Sequence, residues 1–310
     1  MRFTRREFVA LAAAAPFVPA AESRYRVGIT TLTRGGWEKD VFLSFREARG
    51  VGYRYVESFI HFFTSFYKEP DRLQKKMDEI GVKFVTISNG GNMQRRFEDP
   101  RKHEQIIQEH MWLVRFIKRL GCDHLKINTG PRRPEGTTGE DLKQMAKVMN
   151  ELGRQISDEG LKFGVHAHMW TQLENRHEVD TLMDSTDPQH VWFVLDTGQI
   201  TMAGIDPVAL TRQLGHRIIE YHLKDTHPVH RGGAKKRMDR VDAMKNPVFW
   251  GWAKGALIIR PSRPTWIRSA GRAGLPWSWI PRLFVLPRRA RGSARDTLRK
   301  SWGSRSVSTP

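Results

Sequence analysis

Residues 161–197 read LKFGVHAHMWTQLENRHEVDTLMDSTDPQHVWFVLDT, and they predict one complete β-α-β unit. The apolar runs at 161–168 and 191–197 have the length and composition of buried strands, and residues 177–184 between them have helical spacing. Two strands joined through a helix lie parallel in one sheet, because the crossover returns the chain to the end from which it started. The stretch therefore predicts a parallel α/β fold.

The same unit repeats along the chain from its first strand-like run onward. Such runs occupy residues 25–31, 53–58, 82–88, 123–129 and 218–225, in addition to the two above. Helical patterns occupy residues 39–49, 71–80, 100–120, 139–159 and 206–214. Four glycines mark helix ends, where a left-handed residue is expected: Gly81, Gly121, Gly160 and Gly215.

Seven strand-like runs alternating with helices predict a (β/α)8 TIM barrel that is incomplete or irregular at its eighth unit. An open doubly wound sheet is the alternative. It has little support, because the turn after the first run, GITTLTRGG at residues 28–36, lacks the glycine pattern of a phosphate-binding loop.

Length and composition suit one barrel with appendages. The chain has 310 residues, of which 39% are hydrophobic and 27% charged, and these values exclude a disordered or fibrous protein. Its single cysteine, Cys122, excludes an intramolecular disulfide and a thiolate metal cluster. We expect the barrel to span residues 24–257.

The amino terminus has the layout of an export signal. Arg5 and Arg6 precede an apolar, alanine-rich run that closes near Ala20, and residues 4–9 resemble the twin-arginine type. The run is too short to span a bilayer. Residues 1–21 are therefore expected to be a cleaved signal, which predicts a periplasmic protein whose mature chain has no transmembrane segment.

Residues 258–310 form an atypical basic tail rich in Arg, Pro and Trp. Residues 257–310 hold twelve Arg or Lys and one acid, Asp296, within a chain whose net charge is +19. One interpretation is a reading-frame slip near Leu257, since a sequence rich in Arg and Pro and poor in Asp and Glu is typical of a shifted frame in GC-rich DNA. The other is a genuine tail that binds polyanions. No specific nucleic-acid partner is expected.

Polar side chains occur at the carboxyl ends of the strand-like runs, where a barrel carries its chemistry. They are Glu57, Asn89, Asn128, His166, His168, Glu174, Asp196, His222, Lys224 and Asp225. Glu174, Asp196 and His222, from three successive units, form a ligand set for a divalent ion such as Mn²⁺, Mg²⁺, Co²⁺ or Zn²⁺. Taken singly, Asp196 also suits a helix cap, His222 a core histidine and Glu174 a solvated loop acid.

The order of these groups resembles the sugar phosphate isomerase/epimerase family of xylose-isomerase-like barrels, in its inosose dehydratase branch. The resemblance rests on His166-Ala167-His168 with Glu174, Leu195-Asp196-Thr197-Gly198-Gln199, Ile205-Asp206-Pro207 and His222-Leu223-Lys224-Asp225. It implies a TIM barrel whose metal ligands are Glu174, Asp196 and His222. It also places Glu57, His168 and Lys224 beside the substrate.

The chain departs from that family at two points. Gln199 stands where the family has a histidine, which keeps a hydrogen-bonding side chain but removes a group that titrates near neutral pH. The family's eighth strand carries a glutamate ligand, whereas residues 243–295 here contain neither Asp nor Glu.

The expected activity is metal-assisted proton transfer next to a carbonyl of a sugar, sugar phosphate or polyol, through an enediolate. This predicts an isomerase or epimerase in which Glu174, His168 and Lys224 are catalytic and Glu57, His166 and Gln199 contact substrate. If a β-hydroxyl leaves instead, the enzyme is an inosose dehydratase-like lyase. Metal-dependent DNA cleavage is disfavoured, because the strand ends supply too few ligands for a trinuclear site. An inactive, truncated barrel and a polyanion-binding protein remain the alternatives of another class.

Overall fold

A computed structural model describes residues 25–31, 39–50, 52–231, 240, 248–250 and 283–287. The signal at 1–21, and the tail at 258–310 apart from five residues, lie outside the described part and stay predictions. Val27–Pro287 form one compact unit, and Met1–Arg26 with Arg288–Pro310 form another, of which only Tyr25 and Arg26 are described. Among the described helices, none combines the length and the hydrophobicity that a membrane span requires.

Seven of the strands follow the seven predicted runs, with ends that differ by at most two residues. They are β1 Tyr25–Thr30, β2 Tyr55–Phe59, β3 Lys83–Ser88, β4 His124–Asn128, β5 Lys162–His166, β6 Val191–Asp196 and β7 Ile218–Leu223. Every described pairing among these strands is parallel. The predicted α/β architecture is confirmed.

Helices connect the strands and cover their outer face. They are α1 Val41–Gly50, α2 Pro70–Ile80, α3 His103–Arg119, α4 Gly139–Asp158, α5 Arg176–Asp184, α6 Thr197–Met202 and α7 Pro207–Leu214. Their apolar faces form the core, with Leu113, Met145 and Leu152 fully buried. Capping boxes at Thr138 and Asn175 begin α4 and α5, because each side chain satisfies a backbone N–H that the first turn leaves unpaired.

The eighth position of the sheet is occupied irregularly. The hydrogen-bonded strand order is β3-β2-β1-β10-β7-β6-β5-β4, in which β10 is Leu283–Pro287 and runs antiparallel to β7. A regular barrel has a parallel strand there. Two short strands, β8 Asp225–Thr226 and β9 Phe249–Trp250, form a separate antiparallel pair. The prediction of a TIM barrel that is irregular at its eighth unit is therefore confirmed.

Side chains, instead of a backbone ladder, link the two ends of the strand order, β3 and β4. Asn128 N donates to Asn89 Oδ1 at 2.8 Å, and Asn89 Nδ2 donates to Asn128 O at 3.1 Å. Lower in the same seam, Lys126 N donates to Thr86 Oγ1 at 3.2 Å. This seam fixes Asn89 and Asn128 at the mouth of the barrel.

Three of the four predicted glycine helix ends have the expected backbone. Gly81, Gly121 and Gly160 have φ of 79°, 71° and 80°, in the left-handed region. The expectation for Gly215 was wrong, since its φ is −55°. The chain there passes from α7 into a 3-10 turn, Gly215–Arg217, which leads to β7 in right-handed conformation.

Candidate metal and active site

Three ligand-bearing side chains meet at the mouth of the barrel. His166 ends β5, Asp196 ends β6 and His222 lies near the end of β7, and one ligand atom from each lies within 4.8 Å of the others. Asp196 Oδ2 lies 3.4 Å from His166 Nε2 and 3.5 Å from His222 Nδ1. All three side chains are buried. The parallel strands thus bring together residues that are 30 and 26 positions apart in the sequence.

Each imidazole is held from behind by an oxygen acceptor. His166 Nδ1 donates to Asn128 Oδ1 at 2.8 Å, so its Nε2 presents a lone pair towards Asp196. His222 Nε2 donates to Glu220 Oε1 at 3.2 Å and lies 3.0 Å from Glu57 Oε2, so its Nδ1 faces Asp196. Such outer contacts orient histidines that bind metals.

Asp196 has a separate task for each carboxylate oxygen. Oδ1 accepts from Gln199 N at 2.9 Å and caps α6, so the helix-cap interpretation of this residue holds. Oδ2 faces the two histidines and lies 2.8 Å from Lys224 Nζ. Burial raises the pKa of this carboxyl, but Lys224 and the histidines outweigh burial and hold the pKa well below its usual range. The carboxyl is therefore ionised.

The donor set fits a divalent cation. His166 Nε2 is a buried acceptor without a hydrogen bond of acceptable geometry, because burial lowers the pKa of His166 to about 3, and it faces the ionised Asp196 Oδ2 at 3.4 Å. Two acceptors that face each other are stabilised by a cation between them. Two imidazole nitrogens and one carboxylate oxygen suit Mn²⁺, Co²⁺, Fe²⁺ or Zn²⁺.

His222 is cationic when no metal is bound. Burial lowers the pKa of His222, but Glu57 and the other carboxylates raise it to about 10. A metal ion that binds Nδ1 must displace a proton from that nitrogen. Metal binding at this site is therefore coupled to proton release.

A chain of buried charges lies beneath this cluster. Lys126 Nζ pairs with Glu57 Oε1, and His124 Nε2 contacts Glu220 Oε2 at 2.8 Å. Glu57, Glu220 and His222 also have the spacing of a ligand set. Lys126 and His124 already contact these carboxylates, and both carboxylates contact the His222 ring, so we assign Glu57 and Glu220 to the support of His222. Glu57 is fully buried and is not among the residues that line the pocket, although the sequence predicted that it contacts substrate.

Glu174 is not part of the cluster. Its Oε2 accepts from Trp170 N at 2.5 Å, and its own backbone N–H donates to Glu178 Oε2 at 2.7 Å. The side chain is buried, and it belongs neither to the pocket wall nor to either ligand group. Strand β5 ends at His166, so that histidine occupies the strand-end position beside Asp196. Metal binding or catalysis by Glu174 stays a prediction from sequence.

His168 and Gln199 form a hydrogen-bonded pair at the pocket wall. His168 Nδ1 donates to Met169 O at 2.7 Å, and its Nε2 accepts from Gln199 Nε2 at 2.8 Å. Burial, followed by His166 and Lys224, lowers the pKa of His168 well below its usual value. Gln199 lies behind His168 and also accepts from Met169 N at 3.1 Å. Both ring nitrogens of His168 are therefore engaged in the neutral form.

These residues enclose a pocket of about 570 Å³, a volume suited to a small-molecule ligand. Strand ends contribute Lys126, Asn128, His166, Asp196, His222 and Lys224. The rim includes His61, Gly90, Gly91, Arg95, Pro131, Trp170 and Arg240. Sequence reasoning missed Lys126, Glu220 and Arg95. A lysine and a glutamate within otherwise apolar strands were visible signals, but their partners across the barrel were not.

Lys224 packs its aliphatic stem against a glycine. It is 2% exposed, and a Cβ added to Gly198 would lie 2.5 Å from Lys224 Cγ and 2.9 Å from Lys224 Cε. The Lys224 Nζ also lies 4.3 Å from the centroid of the Phe249 ring. The absence of a side chain at Gly198 therefore lets Lys224 reach Asp196.

Gly198→Ala is expected to destabilise the protein by about 1–3 kcal/mol, because the added methyl overpacks the Lys224 stem. The matched control is Gly139→Ala at the start of α4, where a Cβ meets open space and alanine favours the helix. Urea denaturation of both variants checks this. Equal effects of the two substitutions on the free energy of unfolding would contradict the packing argument.

A hydrogen-bonded chain leads from α3 to His166. His110 donates through Nδ1 to Ile106 O at 2.7 Å and accepts through Nε2 from Asn89 Nδ2 at 3.1 Å. Asn89 binds the backbone of Asn128, and the Asn128 side chain accepts from His166. Burial lowers the pKa of His110 to about 4 from its ordinary value of 6.5.

This pKa predicts an acid-sensitive fold. In the unfolded chain His110 becomes protonated as the pH falls below 6.5, whereas in the folded protein it stays neutral until the pH reaches about 4. The unfolded state therefore binds more protons in this window, and the free energy of unfolding decreases as the pH falls from 6.5 to about 4. From pH 7 to pH 5 we expect His110→Gln to lose about 2 kcal/mol less stability than the parent chain. Urea denaturation at both pH values measures the difference. Parallel pH profiles of the two proteins would refute it.

The sequence profile of the xylose isomerase-like TIM barrel family matches residues 45–252. Inosose dehydratase of Clostridium tetani is 34% identical over 125 residues, which are 40% of this chain and 42% of that enzyme. Inosose dehydratase of Geobacillus kaustophilus is 26% identical over 210 residues, 63% of this chain and 67% of that enzyme. The aligned part of this chain therefore spans less than half of the Clostridium enzyme's length.

A solved structure has the same fold. A sugar phosphate isomerase/epimerase from Parabacteroides distasonis superposes with a TM-score of 0.55 at 18% identity, over 74% of this chain and 84% of that one. At this identity the likeness establishes the fold alone.

Proposed function

The chain belongs to the xylose isomerase-like TIM barrel family, and from this premise we propose that it is a metal-dependent enzyme that transfers a proton next to a carbonyl of a sugar or polyol. The net reaction is isomerisation or epimerisation. The observation that carries the proposal is the buried group His166, Asp196 and His222 in the wall of a pocket that also contains Lys224. Enzymes of this fold place their chemistry at the same end of the barrel.

His166, Asp196 and His222 would hold the cation. When bound, a divalent ion supplies Lewis acidity that polarises a carbonyl oxygen and acidifies the adjacent C–H. Asn128 and Glu220 keep the two imidazoles in the tautomers that present a nitrogen to the site. His166, Asp196 and His222 are buried, and the low-dielectric surroundings of buried groups strengthen the charge interactions among them.

The two lysines of the pocket have different roles. Lys126 pairs with buried Glu57, which fixes it as a positive charge that stabilises an enediolate. Lys224 pairs with Asp196, a residue that the cation shares, and its ammonium lines the pocket. We assign Lys224 as the acid–base group: once its ammonium has released a proton, the neutral amine takes the proton from the carbon next to the carbonyl, and the ammonium so formed returns a proton to the substrate. Its buried stem leaves the terminal amine in place for that transfer.

Dehydration is the second candidate reaction. The sequence likeness to inosose dehydratases favours it, because that enzyme name describes loss of water next to a carbonyl. The same proton abstraction begins both reactions. They differ in whether the proton returns to carbon or a β-hydroxyl leaves.

Proton NMR in D₂O tests the proposed function. The Mn²⁺-loaded protein is incubated with inosose and a panel of ketoses, the protein is removed by ultrafiltration and residual Mn²⁺ by chelating resin, and the spectra are compared with those from metal-free protein. We expect deuterium next to the carbonyl of at least one compound, with an epimer or isomer for the first candidate and a dehydrated product for the second. No metal-dependent exchange in any compound, from a protein that binds Mn²⁺, would contradict the proposal.

A further inference from the structure

Two arginines line the pocket together. Arg95, in the loop after β3, is half-buried, and Arg240 is exposed. Burial, followed by the nearby Arg240, lowers the pKa of the Arg95 guanidinium. The two positive charges therefore repel each other within one cavity.

No carboxylate among the described residues forms an ion pair with either arginine. The neighbouring Arg96 shows the contrast, since its Nε lies 3.1 Å from Glu98 Oε1. The Gln94 side chain contacts Arg95 only at its backbone N–H. A like-charged pair without a counter-ion costs free energy, and a bound anion would remove that cost.

The rest of the pocket adds to the positive charge. Asp196 is the single carboxylate among the described lining residues, and it faces the metal-binding histidines and Lys224. Glu57 balances Lys126 from beneath. The guanidiniums of Arg95 and Arg240 are thus the charges that the described part of the pocket leaves unbalanced.

We propose that the substrate carries an anionic group, a phosphate or a carboxylate, and that Arg95 and Arg240 bind it. This inference rests on the proposed function, because it assigns the substrate class of the same pocket. The guanidinium group binds both anions in a bidentate manner, and partial burial of Arg95 strengthens the interaction. A pocket of about 570 Å³ accommodates a small polyol with one such group.

Three probes with a common polyol chain test the proposal by calorimetry on the Mn²⁺-loaded protein. Glycerol is neutral, D-glycerate carries a carboxylate, and sn-glycerol 3-phosphate carries a phosphate. We expect at least one anionic probe to bind about tenfold or more tightly than glycerol. Comparison of the two anionic probes identifies which group the site prefers.

Arginine variants locate the binding. Arg95→Gln and Arg240→Gln are each expected to weaken the anionic probe by about tenfold, whereas Arg96→Gln, the ion-paired neighbour, leaves its affinity unchanged. Arg240 is exposed, so its variant carries little risk to folding. Equal affinity for glycerol and both anions would overturn the proposal. An anion that binds equally well to both variants, as one held by Mn²⁺ alone would, also overturns it.

A titration with Mn²⁺ before the probes separates this inference from the proposed function. If the protein binds Mn²⁺ but not the anions, the arginine site is refuted and the proposed function is not. Protein that does not bind Mn²⁺ contradicts the proposed function, and the anionic probes then report on the arginines independently.

Discussion

Asp196→Asn is expected to lower Mn²⁺ affinity by about 100-fold or more. Loss of a residue that only supports a metal ligand already lowers metal affinity by about 10–100-fold, and this substitution removes the negative charge of a ligand itself. Asparagine is as good a helix cap as aspartate, so Oδ1 can still accept from Gln199 N at the start of α6. The substitution therefore separates the metal role of Asp196 from its structural role. Isothermal titration with Mn²⁺ measures the affinity.

The matched control is Asp206→Asn. Asp206 caps α7 by accepting from Val208 N at 2.8 Å, and it is exposed and remote from the histidine cluster. We expect this variant to bind Mn²⁺ like the parent protein. Unchanged affinity in Asp196→Asn, or the same loss in both variants, would show that the cation does not bind at Asp196.

Lys224→Met is expected to slow deuterium exchange next to the substrate carbonyl by about 10²- to 10⁴-fold, the range typical of a lost acid–base group. Methionine keeps the apolar stem that packs on Gly198 and removes only the ammonium. Mn²⁺ affinity should not fall, because the cation then has no competing charge at Asp196 Oδ2. The exchange rate is followed by NMR at saturating substrate.

Glu174→Gln serves as the comparison for this experiment. The sequence predicts that Glu174 moves the proton, whereas its carboxylate accepts from Trp170 N and lies outside the pocket wall. We expect Glu174→Gln to retain exchange within about tenfold of the parent, an effect smaller than loss of an acid–base group. Lost exchange in Glu174→Gln with normal exchange in Lys224→Met would reverse the assignment.

Strand and helix positions were predictable because hydrophobic period and length report local burial. Residues 191–195 form a continuous apolar run that the carboxylate of Asp196 follows, and such a run has few alternatives to a buried parallel strand. The direction of β10 was not predictable. Its antiparallel pairing with β7 is a long-range contact of the chain that no local pattern encodes.

The site was predictable at strand ends and unpredictable in its loops. Asp196 and His222 lie at carboxyl ends of strands, and barrel topology brings such ends together. Glu174 lies eight residues beyond β5, so its position depends on the loop conformation around Trp170, whose φ is 63°. The sequence predicts that His166 contacts substrate. Because His166 is the last residue of β5, its side chain lies beside Asp196, the last residue of β6.

The buried polar contacts beneath the site were also not predictable from the sequence pattern. Lys126 pairs with Glu57 across 69 positions, and His124 with Glu220 across 96. A buried charge in a strand signals that a partner exists, because an unpaired one is too costly. It does not identify the partner, since any inward-facing strand position is a candidate.

Anomalous X-ray scattering at the manganese edge, from crystals of the protein with Mn²⁺, tests the central assignment most directly. We expect one strong peak bonded to His166 Nε2, Asp196 Oδ2 and His222 Nδ1. A peak at Glu174, a peak between Glu57 and Glu220, or an empty map at the barrel mouth in Mn²⁺-saturated crystals would contradict it.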